Sequence, residues 1–279
     1  MPSSPLLVPF LLLLQLSPVS TLTLGTLYDI PVSNHGARVR YLLHAKGLLN
    51  PSISSSSYDI SPPSALGGLK SPSYLALNPA GKMPLLVCGS FGAIPESDTI
   101  CRHLVDKHIS LSPSFIPETL ELRTKQELIV RSHDQYITPI QAAMYRAPGT
   151  VFAHYGTDRQ AALTALLTQL DNIESSMPPD DKSGDSGSYM CGKYISLADI
   201  TVFPTVVFSE FMLPRFFGVD TGGRFPKTQA WFEFMSGERA NPVGKRIREE
   251  MTAALEGWEE GGRWDPILEE IKSKRIAVN

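Results

Sequence analysis

The stretch LYDIPVSNHGARVRYLLHAKGL, residues 27–48, starts with residues that favour an extended strand and ends with helical spacing. Residues 21–29 are mostly β-branched, Leu or Tyr, and Pro31 then stops the strand. Val39, Leu42 and Leu43 recur on one apolar helix face, which Gly47 closes. Ser33, Asn34 and His35 crowd the turn between the two elements. Such a handover is a candidate site, because the first helical N–H groups are unpaired and the helix dipole there favours an anion.

Reading outward, NPSISSSS makes a flexible loop before a short strand at residues 57–60. A loose helical segment over residues 64–77 leads to NPAGKMPLLV, whose apolar end forms a strand after the proline. Residues 91–94 pair with it, and a helix over residues 96–108 turns Ile100 and Leu104 inward. The order is βαβ, α, ββα. From residue 119 onward the spacing is helical: Leu163, Leu166, Leu167 and Leu170 lie at i, i+3, i+4 and i+7. MPPDDKSGDSGS is a polar loop, and Ser196 with Asp199 forms a capping box before ITVFPTVVF. The segments are an α/β domain at 21–108, a Pro-rich linker at 109–118 and an all-helical domain at 119–279.

Composition narrows the function. The formal net charge is −3 with Lys and Arg dispersed among acidic residues, which excludes a nucleic-acid backbone reader. The cysteines Cys88, Cys101 and Cys191 are odd in number, far apart and form no C-x-x-C pair, so neither a disulfide framework nor a metal site is expected. LLVPFLLLLQL, residues 6–16, has the length of a signal-peptide core but is too short to span a bilayer. Residues 1–20 are therefore set aside as an apolar extension or targeting segment, with no integral membrane span expected. A cytoplasmic location is the expectation, and targeting to another compartment is its alternative.

VSNHGARVRYLLHAKGL, NPAGKMPLL and PESDTICRHL, in this order and followed by a helical domain with ISLADITVF, resemble the soluble glutathione transferases over nearly all of the chain after residue 21. The resemblance implies a thioredoxin-like first domain that binds glutathione as co-substrate and a helical second domain that receives a small hydrophobic electrophile. It also implies a homodimer and no metal. Members that use serine place it just before the first helix, which makes Ser33 the candidate donor to the thiolate. Asn34 stands where many of these members have proline, so Asn34 and, on the strand, Tyr28 remain alternatives, while His35 reads as a solvated helix-start residue. Met83-Pro84 resembles the cis-proline turn whose backbone pairs with the cysteinyl part of glutathione. Lys82 can meet the glycyl carboxylate, and Glu96 with Ser97 resembles the pair that holds the γ-glutamyl end. RSHDQYITPIQAAMY, residues 131–145, reads as part of one long helix carrying Arg131, Asp134, Tyr136 and Tyr145, some of which should face the substrate.

Overall fold

A computed structural model describes residues 22–49, 56–89, 91–177, 189–237 and 241–276 of the 279-residue chain. The apolar stretch at 1–20 and most of the two polar loops, residues 50–55 and 178–188, lie outside them.

Strand β1 (Leu22–Tyr28) leads into helix α1 (Asn34–Ala45), and β2 (Ser56–Ser61) and α2 (Pro72–Leu77) follow. β3 (Leu85–Cys88), β4 (Gly92–Pro95) and α3 (Ser97–Lys107) complete the first unit. The sheet order is β2-β1-β3-β4, with β1 parallel to β2 and β3 antiparallel to both β1 and β4. Leu27, Leu86 and Ile94 bury the centre of this sheet. A Cβ at Gly25 would run into the Val87 carbonyl of β3, so glycine is what lets the two strands approach there. This is the α/β unit that the order of elements predicts, with the thioredoxin-like mixed sheet that the resemblance implies.

The remainder is helical: α4 (Leu120–Ser132), α5 (Thr138–Gln141), α6 (Arg159–Ser176), α7 (Leu197–Phe217), α8 (Thr221–Arg224), α9 (Pro226–Met235), α10 (Pro242–Glu260) and α11 (Asp265–Lys274). The predicted stripe on α6 is buried at all four leucines. Helix α7 is long and apolar enough to cross a membrane by length and composition, yet 89% of that window is buried inside the fold. It is the core helix of this half, and α4, α9 and α10 pack on it. Its start is held by the Ser196–Asp199 capping box.

Two expectations need correction. Helix α1 does not present one apolar face: residues Gly36 to Leu43 are buried without a break, arginines included. The cause is that α1 packs against α3 of the first unit as well as against α7 and α10, so more than one of its faces meets protein. Residues 131–145 do not continue one regular helix. After Ser132 the chain passes through a π-helical turn at His133–Ile137, then α5, then a 3₁₀ turn at Ala142–Met144. Pro139 supplies no N–H to a regular ladder, which fits a change of hydrogen-bond pattern just before it.

The junction between the two halves is pinned from α1. Lys46, buried at its C-terminal cap, donates Nζ to the carbonyls of His108 (3.2 Å), Leu111 (2.7 Å) and Pro113 (2.8 Å). Three carbonyls satisfy the three ammonium protons, which makes burial of the charge tolerable.

Candidate glutathione-site cleft

Asn78, Lys82, Met83 and Pro84 come from the loop before β3, Glu96, Ser97 and Asp98 from the start of α3, His35 from α1, and Asp134 and Thr138 from the helical half. Together they line a cleft of about 160 Å³. Five of the six residues singled out in the sequence, Lys82, Met83, Pro84, Glu96 and Ser97, thus meet in one place although they span two separate segments. The Met83-Pro84 bond is cis. The loop is fixed from below, because the Lys82 carbonyl accepts from the Tyr74 hydroxyl (2.8 Å) and from Asn78 Nδ2 (2.7 Å).

Glu96 sits just outside α3 with φ at 69°, a backbone conformation that L side chains rarely adopt, and its carboxylate does not cap the helix. Ser97 is the first residue of α3 rather than its cap. Its Oγ accepts from Arg38 Nη1 at 3.1 Å, which leaves the hydroxyl proton free to donate into the cleft.

Arg38 is the residue the sequence reading missed. It is 1% exposed, and its guanidinium reaches Ser97 Oγ, Asp98 Oδ1 (3.2 Å) and Asp134 Oδ1 (3.2 Å), joining α1, the start of α3 and the π-helical turn. Nothing in its spacing marks it, since an arginine in a helix reads as solvated until more than one face is known to be covered. Asp134, one of four residues named on the predicted long helix, is the one that reaches the cleft. Burial pushes its carboxyl upward, but the hydrogen bond with His133 and the Arg38 charge outweigh that and hold it down at about 2.

From Asp134 a chain of side chains runs back to α1. His133 Nδ1 lies 2.9 Å from Asp134 Oδ1 and its Nε2 2.7 Å from Thr205 Oγ1, which in turn accepts from Asn34 Nδ2 at 2.9 Å. Asn34 Nδ2 also donates to Gln141 Oε1 at 2.8 Å. The network assigns the tautomer: a neutral His133 donates from Nδ1 to the carboxylate and accepts the Thr205 proton at Nε2. Burial lowers its pKa, in keeping with the neutral form.

None of the three candidates for the thiolate contact, Ser33, Asn34 and Tyr28, lines the cleft. Ser33 caps α1, accepting from Gly36 N at 3.0 Å, and is not among the residues lining the cleft. Its neighbour Asp29 is buried and paired with Arg40. Burial pushes Asp29 up to about 6 against the Arg40 charge and a hydrogen bond from Ser33. Asn34 is engaged in the network to Gln141 and Thr205, and half-buried Tyr28 pairs with Leu85 and Ser61 in the sheet. His35, read from sequence as solvated, is instead partly buried and lines the cleft, with its ring 6.4 Å from that of His133 in an edge arrangement. Burial, then the neighbouring His133 and Arg38 charges, bring it down to about 4.

All three cysteines are free and buried, and none lines the cleft. Among the described residues no group of His, Cys, Asp or Glu is arranged to hold a metal ion.

Comparison with known proteins gives the same picture from outside. The family model described as Glutathione S-transferase, N-terminal domain matches residues 27–110. Glutathione S-transferase F10 of Arabidopsis thaliana is 28% identical over 152 residues, covering 53% of this chain and 65% of that protein, so the match spans just under two thirds of the relative. The structure of glutathione transferase F7 from Populus trichocarpa aligns with a TM-score of 0.60 at 24% identity, over 81% of this chain and 99% of that one. Ure2p, solved in complex with glutathione, aligns with a TM-score of 0.62 at 17% identity, over 81% of this chain and 98% of that one. The structural likenesses speak to the fold, and the family model to residues 27–110. Residues 27–110 thus match the glutathione S-transferase N-terminal domain family, and the chain as a whole has the fold of the glutathione transferases it aligns with.

Proposed function

We propose that the protein is a glutathione transferase that binds glutathione in the cleft between β3, α3 and α1 and presents its sulfur, as thiolate, to a small hydrophobic electrophile. The observation that carries this reading is the convergence of Lys82, Met83, Pro84, Glu96 and Ser97 on one cleft. A carboxylate and a serine hydroxyl at the start of α3 suit the amine and carboxylate of a γ-glutamyl group, and the helix N-terminus favours the latter. Lys82, exposed at the rim, suits the glycyl carboxylate.

The chemistry sets what the protein must supply. A thiol with a pKa near that of free Cys, about 8.5, is only ~3% thiolate at pH 7. Lowering it by ~2 units takes about 2.7 kcal/mol and raises the thiolate to roughly 75%. Each thiolate then loses some six- to tenfold in nucleophilicity if the slope of ~0.4 to 0.5 for thiol exchange carries over. The net gain is a few-fold, so most of the acceleration comes from holding the electrophile against sulfur, where effective molarities reach about 10⁵ M and more. In the serine-type reading Ser33 donates to the thiolate; its hydroxyl accepts from Gly36 N and is directed at Asp29, so this role requires the proton to turn from that carboxyl to sulfur.

The protein acts as a homodimer in this reading. Leu128 and Tyr136, 63% and 57% exposed, line one groove of about 630 Å³ between α4 and α6, an apolar surface that a second copy would cover. Isomerisation, dehalogenation or peroxide reduction with the same thiolate is the alternative chemistry, and a non-catalytic glutathione-binding protein is the alternative class. Calorimetry with glutathione and conjugation of a generic aryl halide separate them. Saturable binding with conjugation supports the transferase, binding without turnover on any electrophile points to the binding protein, and no binding overturns the assignment.

A further inference from the structure

We propose that His35 is a catalytic residue, its imidazole N–H donating to the glutathione sulfur from the first turn of α1. The inference rests on the cleft being the glutathione site. Within that cleft the γ-glutamyl end is assigned to Glu96 and Ser97 and the cysteinyl backbone to Met83, which leaves the thiol to meet the wall formed by α1 and the helical half. Of the first turn of α1, residues 34–37, only His35 lines the cleft. Ser33 faces the helix end and Asp29, and Asn34 is spent on Gln141 and Thr205. Thr138, also on that wall, has a buried Oγ1 with no partner among the described residues, which gives the second side of a polar niche.

The groups around His35 decide its form. His133 and Asp134 face it from the π-helical turn, Arg38 from its own helix, Lys82 from the loop before β3, and Glu96 and Asp98 share the cleft with it. Burial together with His133 and Arg38 brings it down to about 4, against Asp134. Taking the proton of a thiol with a pKa of about 8.5 is then unfavourable by roughly 10⁴-fold, so the imidazole is not the resident base. It remains neutral above about pH 5 and can serve as a hydrogen-bond donor to a thiolate whose proton has gone to solvent. A neutral donor also leaves a fingerprint: the rate should rise with a single thiol ionisation and show no second limb near pH 6.

The test compares wild type, His35→Ala, His35→Asn and Ser33→Ala, with conjugation rate and the ultraviolet thiolate absorbance of bound glutathione followed against pH. His35→Ala should shift the thiolate titration upward and slow conjugation by roughly 10- to 150-fold, the effect of one charge-assisted hydrogen bond. His35→Asn, which keeps an N–H at a similar reach, should restore most of both. A purely packing role for His35 would move neither titration nor be rescued by the amide, and an unmoved titration in folded His35→Ala overturns the proposal. If that variant fails to fold, His35→Asn decides alone: a titration within a few tenths of a unit of wild type supports the donor, and a full upward shift overturns it. Wild-type protein that does not bind glutathione at all would instead sink the parent reading, a result that no His35 variant can mimic.

Discussion

Ser97 and Glu96 show how much one position can carry. Ser97 Oγ accepts from buried Arg38 and keeps a proton for the ligand, so Ser97→Ala should remove one hydrogen bond to a charged group, about 1.5 to 3 kcal/mol, from glutathione affinity. Because the contact is remote from sulfur, the loss should appear in Kd or KM, raised roughly 10- to 150-fold, with turnover at saturation little changed. Calorimetry beside saturation kinetics separates the two. Glu96 holds a positive φ that glycine would adopt freely. Glu96→Gly should therefore leave stability unchanged or raise it by about 1 kcal/mol while weakening glutathione binding, an opposition that thermal melts and binding isotherms would display together. Either residue could be found from sequence because the PESDT segment carries family-like residues at family-like spacing. Arg38 and His35 could not. What they do depends on Asp98, Asp134 and His133, and pairings across 60 to 100 residues leave no periodicity to read.

At the scale of elements, strand and helix order was legible throughout the first unit, since apolar spacing and turn residues act locally. The capping box at the head of α7 was legible too, but only as a local device. In the structure Asp199, fully buried, accepts from Ser196 N (2.9 Å), Ser196 Oγ (2.7 Å), Met190 N (2.8 Å) and Trp231 Nε1 (3.1 Å). It therefore joins the preceding loop and α9 to the helix start. Asp199→Ala would strand four buried donors, each worth about 1 to 3 kcal/mol when unsatisfied. A net loss of about 3 to 5 kcal/mol is expected once the site relaxes, well above the ~1 kcal/mol of a helix cap alone. Denaturant unfolding would distinguish the two sizes. The regular helix expected over residues 131–145 fails for a related reason. The turn at His133–Ile137 serves the network to Asp134 and Thr205, a tertiary demand that overrides local spacing.

For the whole molecule, burial of ionisable groups sets the response to acid. Five of the six histidines, His35, His44, His103, His108 and His133, have pKa values lowered chiefly by burial, His35 and His44 to about 4. The unfolded chain binds those protons from about pH 6.5 downward and the folded chain does not, so stability is lost as pH falls from about 6.5 toward 4. Asp29, Asp199 and Glu210 are raised by burial and act in the opposite direction over part of that window. The histidines outnumber them, and the denaturant midpoint should fall between pH 7 and pH 5. Replacing His44, which sits in the last turn of α1 away from the cleft, with Gln should flatten that slope without moving the neutral-pH rate profile.

The burial of α1 on more than one face also has a consequence in time. Its outer surface is covered by α7 and α10, with Tyr41 against Phe203 and Arg40 near Glu250, yet α7 lies roughly 150 residues further along the chain. At synthesis rates of about 5–20 residues per second, the nascent first unit waits about 8 to 30 seconds for that cover. During the interval, buried arginines and leucines of α1 stand open to solvent and to other nascent chains. The first unit is thus assembled before it is finished, and its maturation on the ribosome depends on whatever shields that helix until the second half arrives.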